Sequence, residues 1–411
     1  MSSLKYWVWL SSISGIGAVS AAALLRHFDT PEDIYNAGAE DYVNIEGIKP
    51  REIKRLMQKD IEPANEILAS CAHIKCRVVT LQDAEYPDRL KSIFDPPIVL
   101  YVRGALPAID DEPVVSIVGT RKCTPYGIKA TENIAYALSR RGITVATGLA
   151  RGIDTAAVRG ALRGGGCVLG VIGCGLDIVY PPENTAIFKD VLRSGAIISE
   201  YPPGSPPIPP HFPARNRIIS GLSLGVTVIE APAKSGALIT ASRALEQGRD
   251  VFVLPGNVDS RCCEGSNALL REGAIPILSA GDIISEYAEL YPDKIISEGQ
   301  APSRSSDKRR QQREVGDRSK SSINSHPDNI NTIDNEINLD YIGLDKLLGT
   351  LSGNERAVAE AIGNDTLHVD EIIIKTGLPA HQVSSALTML ELNGRAASDG
   401  SRYFKLVMEQ G

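Results

Sequence analysis

The chain has no surplus of positive charge. Its 43 Lys and Arg stand against 50 Asp and Glu, for a formal net charge of -7. A surface coated in basic residues is therefore excluded, and any nucleic-acid contact has to come from a local concentration of cations. Long hydrophobic runs are missing too. The stretch Tyr6 to Leu10 near the N-terminus is shorter than a secretory h-region and far shorter than a membrane span, so no membrane span and a cytoplasmic location are expected. The 7 cysteines are scattered, with no C-x-x-C pair. A chain of this size does not need disulfides, so reduced thiols are expected. Neither Cys262-Cys263 nor the set Cys71, His73 and Cys76 has a usual zinc spacing, and no metal site is expected. The G-x-x-x-x-G-K-[ST] spacing is absent throughout, which speaks against an ATPase. No G-x-G-x-x-G follows the first strand of the central domain; Gly164-Gly-Gly166 and Ile172-Gly-Cys-Gly-Leu-Asp177 are only a weak dinucleotide signal. None of the 6 histidines lies in a nucleophile or metal motif. With no catalytic set, the chain is expected not to be an enzyme and to need no cofactor.

What is present is a soluble globular composition, 43% hydrophobic and 23% charged, over 411 residues, enough for two to four domains by the rule of about 150 residues each. Ser, Asn, Asp, Arg and Lys replace apolar periodicity from about Ser297 to Asn338, which predicts a flexible linker containing a locally basic stretch, Arg304 to Lys320. From Pro113 to about Tyr287, short Val/Ile-rich runs alternate with helical stretches, the pattern of a doubly wound α/β domain with a parallel sheet. Strands are expected at Val114–Val118, Thr144–Thr147, Val168–Ile172, Val226–Glu230 and Val251–Leu254. The loops after them line the carboxyl edge, where open sheets of this kind bind ligands. The first seventy residues are helical, with Ile13-Ser-Gly-Ile-Gly17 before an Ala-rich helix and an echo at Ile45-Glu-Gly-Ile-Lys49, so they resemble paired helix-hairpin-helix units. Beyond the linker, Ser352 and Glu355 form a capping box that opens a helix through Ile362. Helices at Val369–Lys375 and His381–Asn393 and a hairpin turn at Asp399-Gly400 complete a winged helix. The expected modules are 1–72, 73–296, a linker 297–345, and 346–411.

Three segments carry candidate chemistry. Gly119-Thr-Arg-Lys122 follows the first of these strands and leads into a helix starting near Ile128. Free amides at a helix start attract anions, Gly119 permits close backbone approach, and Arg121 offers a bidentate fork. Phe212-Pro-Ala-Arg215-Asn216-Arg217 follows the proline-rich stretch Tyr201 to Pro210, expected as a shaped loop. It sets a ring beside cations, the pair wanted for stacking a base and holding a backbone. Phe212 in the core, and one arginine paired with a carboxylate such as Glu230, is the alternative. In Glu230 to Thr240, Lys234, Ser235 and Gly236 sit where a strand ends and a helix begins.

In this order, Tyr86-Pro87 with Asp95-Pro-Pro97, Gly119-Thr-Arg121, Gly148-Leu-Ala-Arg-Gly-Ile-Asp154, Gly175-Leu-Asp177 with Tyr180-Pro181, Phe212 to Arg217, and Pro255-Gly256 resemble the DNA-processing protein A (DprA/Smf) family. The resemblance spans roughly Val78 to Tyr287, and the flanking helical and winged-helix modules resemble the family's longer members. It implies a Rossmann-like fold with an N-terminal helix-hairpin-helix (SAM-like) domain and a C-terminal winged helix. It further implies sequence-independent binding and protection of single-stranded DNA, work with single-strand binding protein, loading of the RecA recombinase during natural transformation, and a homodimer through the Rossmann-like domain. By resemblance Arg121 matches the principal DNA-contacting arginine, and Phe212, Arg215 and Lys234 fall in motifs of the same positive pocket. Pro182 stands where some members carry a lysine, and Pro209 occupies a loop that is basic in others, so this pocket is expected to be less cationic. Two rivals come from other classes. A nucleotide phosphoribohydrolase would need the P-G-G-x-G-T-x-x-E stretch, which is absent. A winged-helix transcription regulator would need a basic recognition helix, and His381 to Asn393 has no Arg or Lys.

Overall fold

The computed structural model describes residues 3–296, 351, 353–363, 367–393, 395–398 and 403–406. The expected linker, its basic stretch, the Ser352 cap and the Asp399-Gly400 turn lie outside the described residues. The chain divides into two compact units, 1–305 and 306–411.

The first unit begins with α1 (Leu4–Ser12), α2 (Ala18–His27), α3 (Pro31–Asn36), α4 (Ala39–Val43), α5 (Pro50–Leu56) and α6 (Glu62–His73). The turns between α1 and α2 and between α4 and α5 each place a glycine in the left-handed region, Gly15 at φ 89° and Gly47 at φ 90°, which only glycine adopts without strain. The two hairpins expected from the Ile-x-Gly-Ile repeats are therefore built alike. Lys59, after α5, knots the module together. Its ammonium donates to the Tyr42 hydroxyl at 2.6 Å and the Ile34 carbonyl at 3.1 Å, and it lies 5.0 to 5.6 Å from the ring centroids of Trp9, Tyr35 and Tyr42. Lys59→Met keeps the stem but removes donors and charge. It should lower stability by about 1–2 kcal/mol, read as a reduced denaturation midpoint.

The sheet is formed by β1 (Arg77–Thr80), β2 (Val99–Gly104), β3 (Val114–Val118), β4 (Thr144–Thr147), β5 (Val168–Ile172), β6 (Ala196–Ser199), β7 (Gly225–Val228), β8 (Asp250–Val253) and β9 (Ile275–Pro276). Its order is β1-β2-β6-β5-β4-β3-β7-β8-β9. The run from β6 to β9 is parallel, and β1 and β2 add an antiparallel edge. The doubly wound expectation holds for this parallel run; the antiparallel edge makes the whole sheet mixed. Interleaved helices are α7 (Asp88–Lys91), α8 (Pro125–Arg140), α9 (Ile153–Arg163), α10 (Thr185–Ser194), α11 (His211–Gly221), α12 (Gly236–Glu246), α13 (Glu264–Arg271) and α14 (Ala280–Tyr287).

The sheet is buried on both faces, which is why its strands read as continuous apolar runs. Val115, Ile117, Val168 and Ile172 join one apolar layer with α8, α9, α10 and the N-terminal helices. Val114, Val118, Leu169 and Val171 join the other with α11 and α12. Strands β4, β5 and β6 lie on one side of β3 and β7, β8 and β9 on the other. The winding direction thus reverses between β3 and β7, and the loops leaving their carboxyl ends diverge to open a crevice.

In the second unit, helices Gly353–Ile362, Val369–Thr376 and Ala380–Leu392 pack with strands Leu367–His368, Ala396–Ser398 and Tyr403–Leu406, the last strand central. This is a winged helix. Gly377, at φ 64°, ends the middle helix in the left-handed conformation.

Candidate functional site

The crevice at the reversal point is a cleft of about 730 Å³. Gly119, Thr120, Arg121, Lys122, Phe212, Arg215, Asn216, Lys234, Ser235 and Gly236 all line it. Of the residues singled out in the sequence, Arg217 alone lies elsewhere.

The loop after β3 is fixed from two sides. A side chain at Gly119 would place its Cβ 2.5 Å from Ile153 of α9, so the glycine is what allows α9 to close on the loop. The Thr120 amide donates to the Glu230 carbonyl at 2.7 Å. Thr124 caps α8, its hydroxyl accepting from the Gly127 amide at 3.1 Å, with Pro125 following in the first turn. The helix accordingly starts at Pro125 rather than near Ile128, because cap and proline together define its first turn. Glu230 is buried and accepts from both the Thr124 amide, at 2.9 Å, and the Thr124 hydroxyl. It holds the helix start and pairs with neither arginine considered for it. Across the cleft, Ser235 caps α12 by accepting from the Ala237 amide at 3.2 Å. The starts of two long helices thus face one space, each with a partial positive charge at its amide end.

The proline-rich stretch 201–210 contains no helix or strand and delivers Phe212 into the first turn of α11. The Arg121 guanidinium is exposed and lies 5.6 Å from the centroid of the Phe212 ring. Tyr180 lies 5.5 Å from the same ring, at an interplanar angle of 35°. Lys122 and Lys234 are exposed at the lips. A cation, two tilted rings and further cations at the margins form a surface that can stack a planar group while holding anions beside it.

Below this surface the residues of α11 separate by helical phase. Arg215 is 5% exposed; its Nη1 donates to the Val171 carbonyl at 2.8 Å, while its Nε has no hydrogen-bond partner. Burial pushes its pKa down to about 10, so it remains cationic at neutral pH. A Cβ at Gly148 would sit 1.9 Å from Arg215 Nη1; only glycine leaves room for the guanidinium. Asn216 donates to the Gly236 carbonyl at 3.1 Å and ties α11 to the start of α12. Arg217 points away from the cleft. It donates to Glu200 at 2.7 and 2.8 Å and to the carbonyls of Asp95, at 2.9 Å, and Ala214, at 2.8 Å. The expectation that Arg217 meets phosphate is thus corrected: its donors are taken by the half-buried Glu200 carboxylate and by the Asp95 and Ala214 carbonyls.

Sequence reasoning left out three contributors. Tyr180 belongs to a quoted motif but was given no role at the site; Arg261 lines the cleft without any motif to mark it. Asp154, at the start of α9, also lines the cleft, is 6% exposed, and accepts from the Ala150 amide at 3.2 Å. Burial pushes its pKa up against the opposing influence of Arg215. Its place at the end of the Gly148-to-Asp154 motif was the available signal.

Known proteins share this architecture. Residues 77–288 match the family model "DNA recombination-mediator protein A", residues 346–400 the "DprA winged helix domain", and residues 10–59 the "SAM-like Helix-hairpin-helix tandem". The chain is 34% identical to Protein Smf of Synechocystis sp. over 404 residues, covering 97% of this chain and 98% of that protein. It is 42% identical to DNA processing protein DprA of Streptococcus pneumoniae over 208 residues, 51% of this chain and 73% of that protein. The X-ray structure of DNA processing protein A from Streptococcus pneumoniae superposes with a TM-score of 0.60 at 33% identity, covering 69% of this chain and 97% of that one.

Proposed function

We propose that this chain, which belongs to the DNA recombination-mediator protein A (DprA/Smf) family, binds single-stranded DNA irrespective of sequence in the cleft between β3 and β7 and catalyses no reaction there. The observation that carries this reading is the Arg121 guanidinium set over the Phe212 ring between two helix starts. In this arrangement phosphates rest on Arg121, Lys122, Lys234 and the amides beginning α8 and α12, while a base stacks on Phe212 and Tyr180. Rings and backbone cations do not read base edges, which supports sequence tolerance. The two buried carboxylates near the cleft already have structural partners, Glu230 at Thr124 and Asp154 at the Ala150 amide; this supports a binding role over general acid or base work.

The wider role follows the family resemblance: protection of incoming single strands alongside single-strand binding protein, and loading of RecA during natural transformation. A homodimer through the Rossmann-like domain belongs to the same proposal. Exposed apolar side chains there, Tyr126 and Leu278 beside a groove of about 420 Å³, are the kind of surface a second copy covers.

The test is binding of oligothymidylate and of a duplex across a salt series. Three neutralised phosphates give a slope of log affinity against log salt of about -2 for a single strand. Duplex binding as tight as single-strand binding would overturn the reading. Phe212→Ala should cost about 1–3 kcal/mol of affinity, with Phe212→Trp restoring it. Unchanged affinity in the alanine variant would remove the ring from the site.

A further inference from the structure

The cation on the floor of the cleft has no task in the arrangement proposed above. Arg215 of α11 lines the cleft and is 5% exposed. A guanidinium offers a whole fork of N–H donors, yet among the described residues Nη1 alone is engaged, by the Val171 carbonyl at 2.8 Å, and Nε has no partner. Buried polar groups are as a rule hydrogen-bonded, and a buried cation short of partners is costly. Arg217, two residues on, shows the contrast, with a carboxylate and two carbonyls on its nitrogens. The fold nonetheless makes room for Arg215. A Cβ at Gly148 would stand 1.9 Å from Nη1 and 2.6 Å from Nη2, so the guanidinium is seated against main chain where a larger residue leaves no space. Asp154 also lines the cleft and acts on Arg215 through space, but its carboxylate accepts from the Ala150 amide and forms no ion pair with Arg215.

Position decides what this cation can meet. Arg215 stands three residues after Phe212 on α11, so the two share a helix face, and with Arg121 and Tyr180 they line a recess beside the cleft. At the rim, Arg121, Lys122 and Lys234 are exposed and reach a phosphodiester that passes over the opening. Around Arg215, the side chains of Thr120, Asn216 and Thr240 line the cleft and are buried. Gly236 and Ala237 bring in the start of α12, and a helix start favours an anion. A phosphodiester inside a strand is esterified on two sides, and both nucleosides would have to follow it down between these side chains. A terminal phosphomonoester is tethered on one side only. It carries a charge of about -1.5 to -2 at neutral pH and three acceptor oxygens, which suit the unpaired edge of a guanidinium. Resting on the single-strand reading above, we propose that the floor of the cleft is a subsite for a terminal phosphomonoester, held by Arg215 and the start of α12 while the adjoining base stacks on Phe212. The protein then engages phosphorylated strand ends in preference to hydroxyl ends, and the rim cations take the phosphates that follow.

The experiment compares short oligothymidylates that bear a 5′-phosphate, a 3′-phosphate or hydroxyls at both ends, on the full chain at one salt concentration. One phosphorylated form should bind about tenfold more tightly than the hydroxyl form, and which of them does so reads the polarity of the strand in the cleft. Equal affinity for all three overturns the proposal. Arg215→Met, which keeps much of the bulk and loses the charge, should erase the preference, whereas Arg121→Ala should weaken every form and keep the ratio. A preference that survives in Arg215→Met, or that vanishes in Arg121→Ala, places the phosphate on the rim and overturns the subsite. Should Arg215→Met fail to fold, Gly148→Ala tests the same seat, since the added Cβ displaces the guanidinium and retains its charge. The ratio should fall there too, and an unchanged ratio overturns the proposal. Binding that is tight yet indifferent to the end group overturns this inference alone. Absence of single-strand binding in every form overturns the functional reading on which it rests.

Discussion

Replacing Arg121 with alanine should weaken oligothymidylate binding roughly 10- to 100-fold and make the slope of log affinity against log salt shallower by about 0.7. The first number follows from a charge-assisted hydrogen bond worth about 1.5–3 kcal/mol, with each 1.4 kcal/mol counting about tenfold. The second follows from one phosphate fewer neutralised on a single strand. Arg121 is suited to both because it is exposed and anchored over Phe212 without a carboxylate partner in the ion pairs described. An alanine variant with the parent's affinity and slope would remove Arg121 from the interface. Arg121→Lys is expected to restore the slope but only part of the affinity, because an ammonium keeps the charge and loses the planar fork.

Arg217→Ala should act on stability instead. The guanidinium side chain is 6% exposed and faces Glu200 and Asp95, themselves 24% and 26% exposed. Burial by itself lowers its pKa, and the Glu200 carboxylate reverses that, leaving the guanidinium more basic than usual. Removing one partner from such a pair strands the other charge, at a cost of about 3–5 kcal/mol. At roughly 2–4 °C per kcal/mol for domains of this size, the unit should melt on the order of 10 °C earlier. The salt slope of the fraction that remains folded should stay at the parent's value. A normal melting temperature would contradict a stabilising role for the Arg217–Glu200 pair, and a flattened slope would return Arg217 to the interface.

These two arginines are separated by what a linear reading can and cannot weigh. Strands Val114–Val118, Thr144–Thr147 and Val168–Ile172 form with the bounds expected of them, since a strand covered on both faces is a β-branched run visible in the sequence. The last two expected strands are displaced slightly, to Gly225–Val228 and Asp250–Val253. Strand β6, only Ala196–Ser199, and the antiparallel edge of β1 and β2 went unforeseen. Such short segments become strands through partners distant in the chain, and their own composition signals little.

The sequence by itself determined that a parallel sheet carries a glycine-led basic loop into a helix, that a ring stands beside arginines, and that no P-loop is present. Tertiary structure alone decided which arginine is offered to a ligand. On α11 successive side chains turn by about 100°, so Arg215, Asn216 and Arg217 leave the helix in three directions. Arg217 then meets the main chain and carboxylate of Asp95, 122 residues earlier in the chain. Adjacent letters carry neither that phase nor the placement of the countercharges, and a cation is available to phosphate only where the fold has left it without a carboxylate.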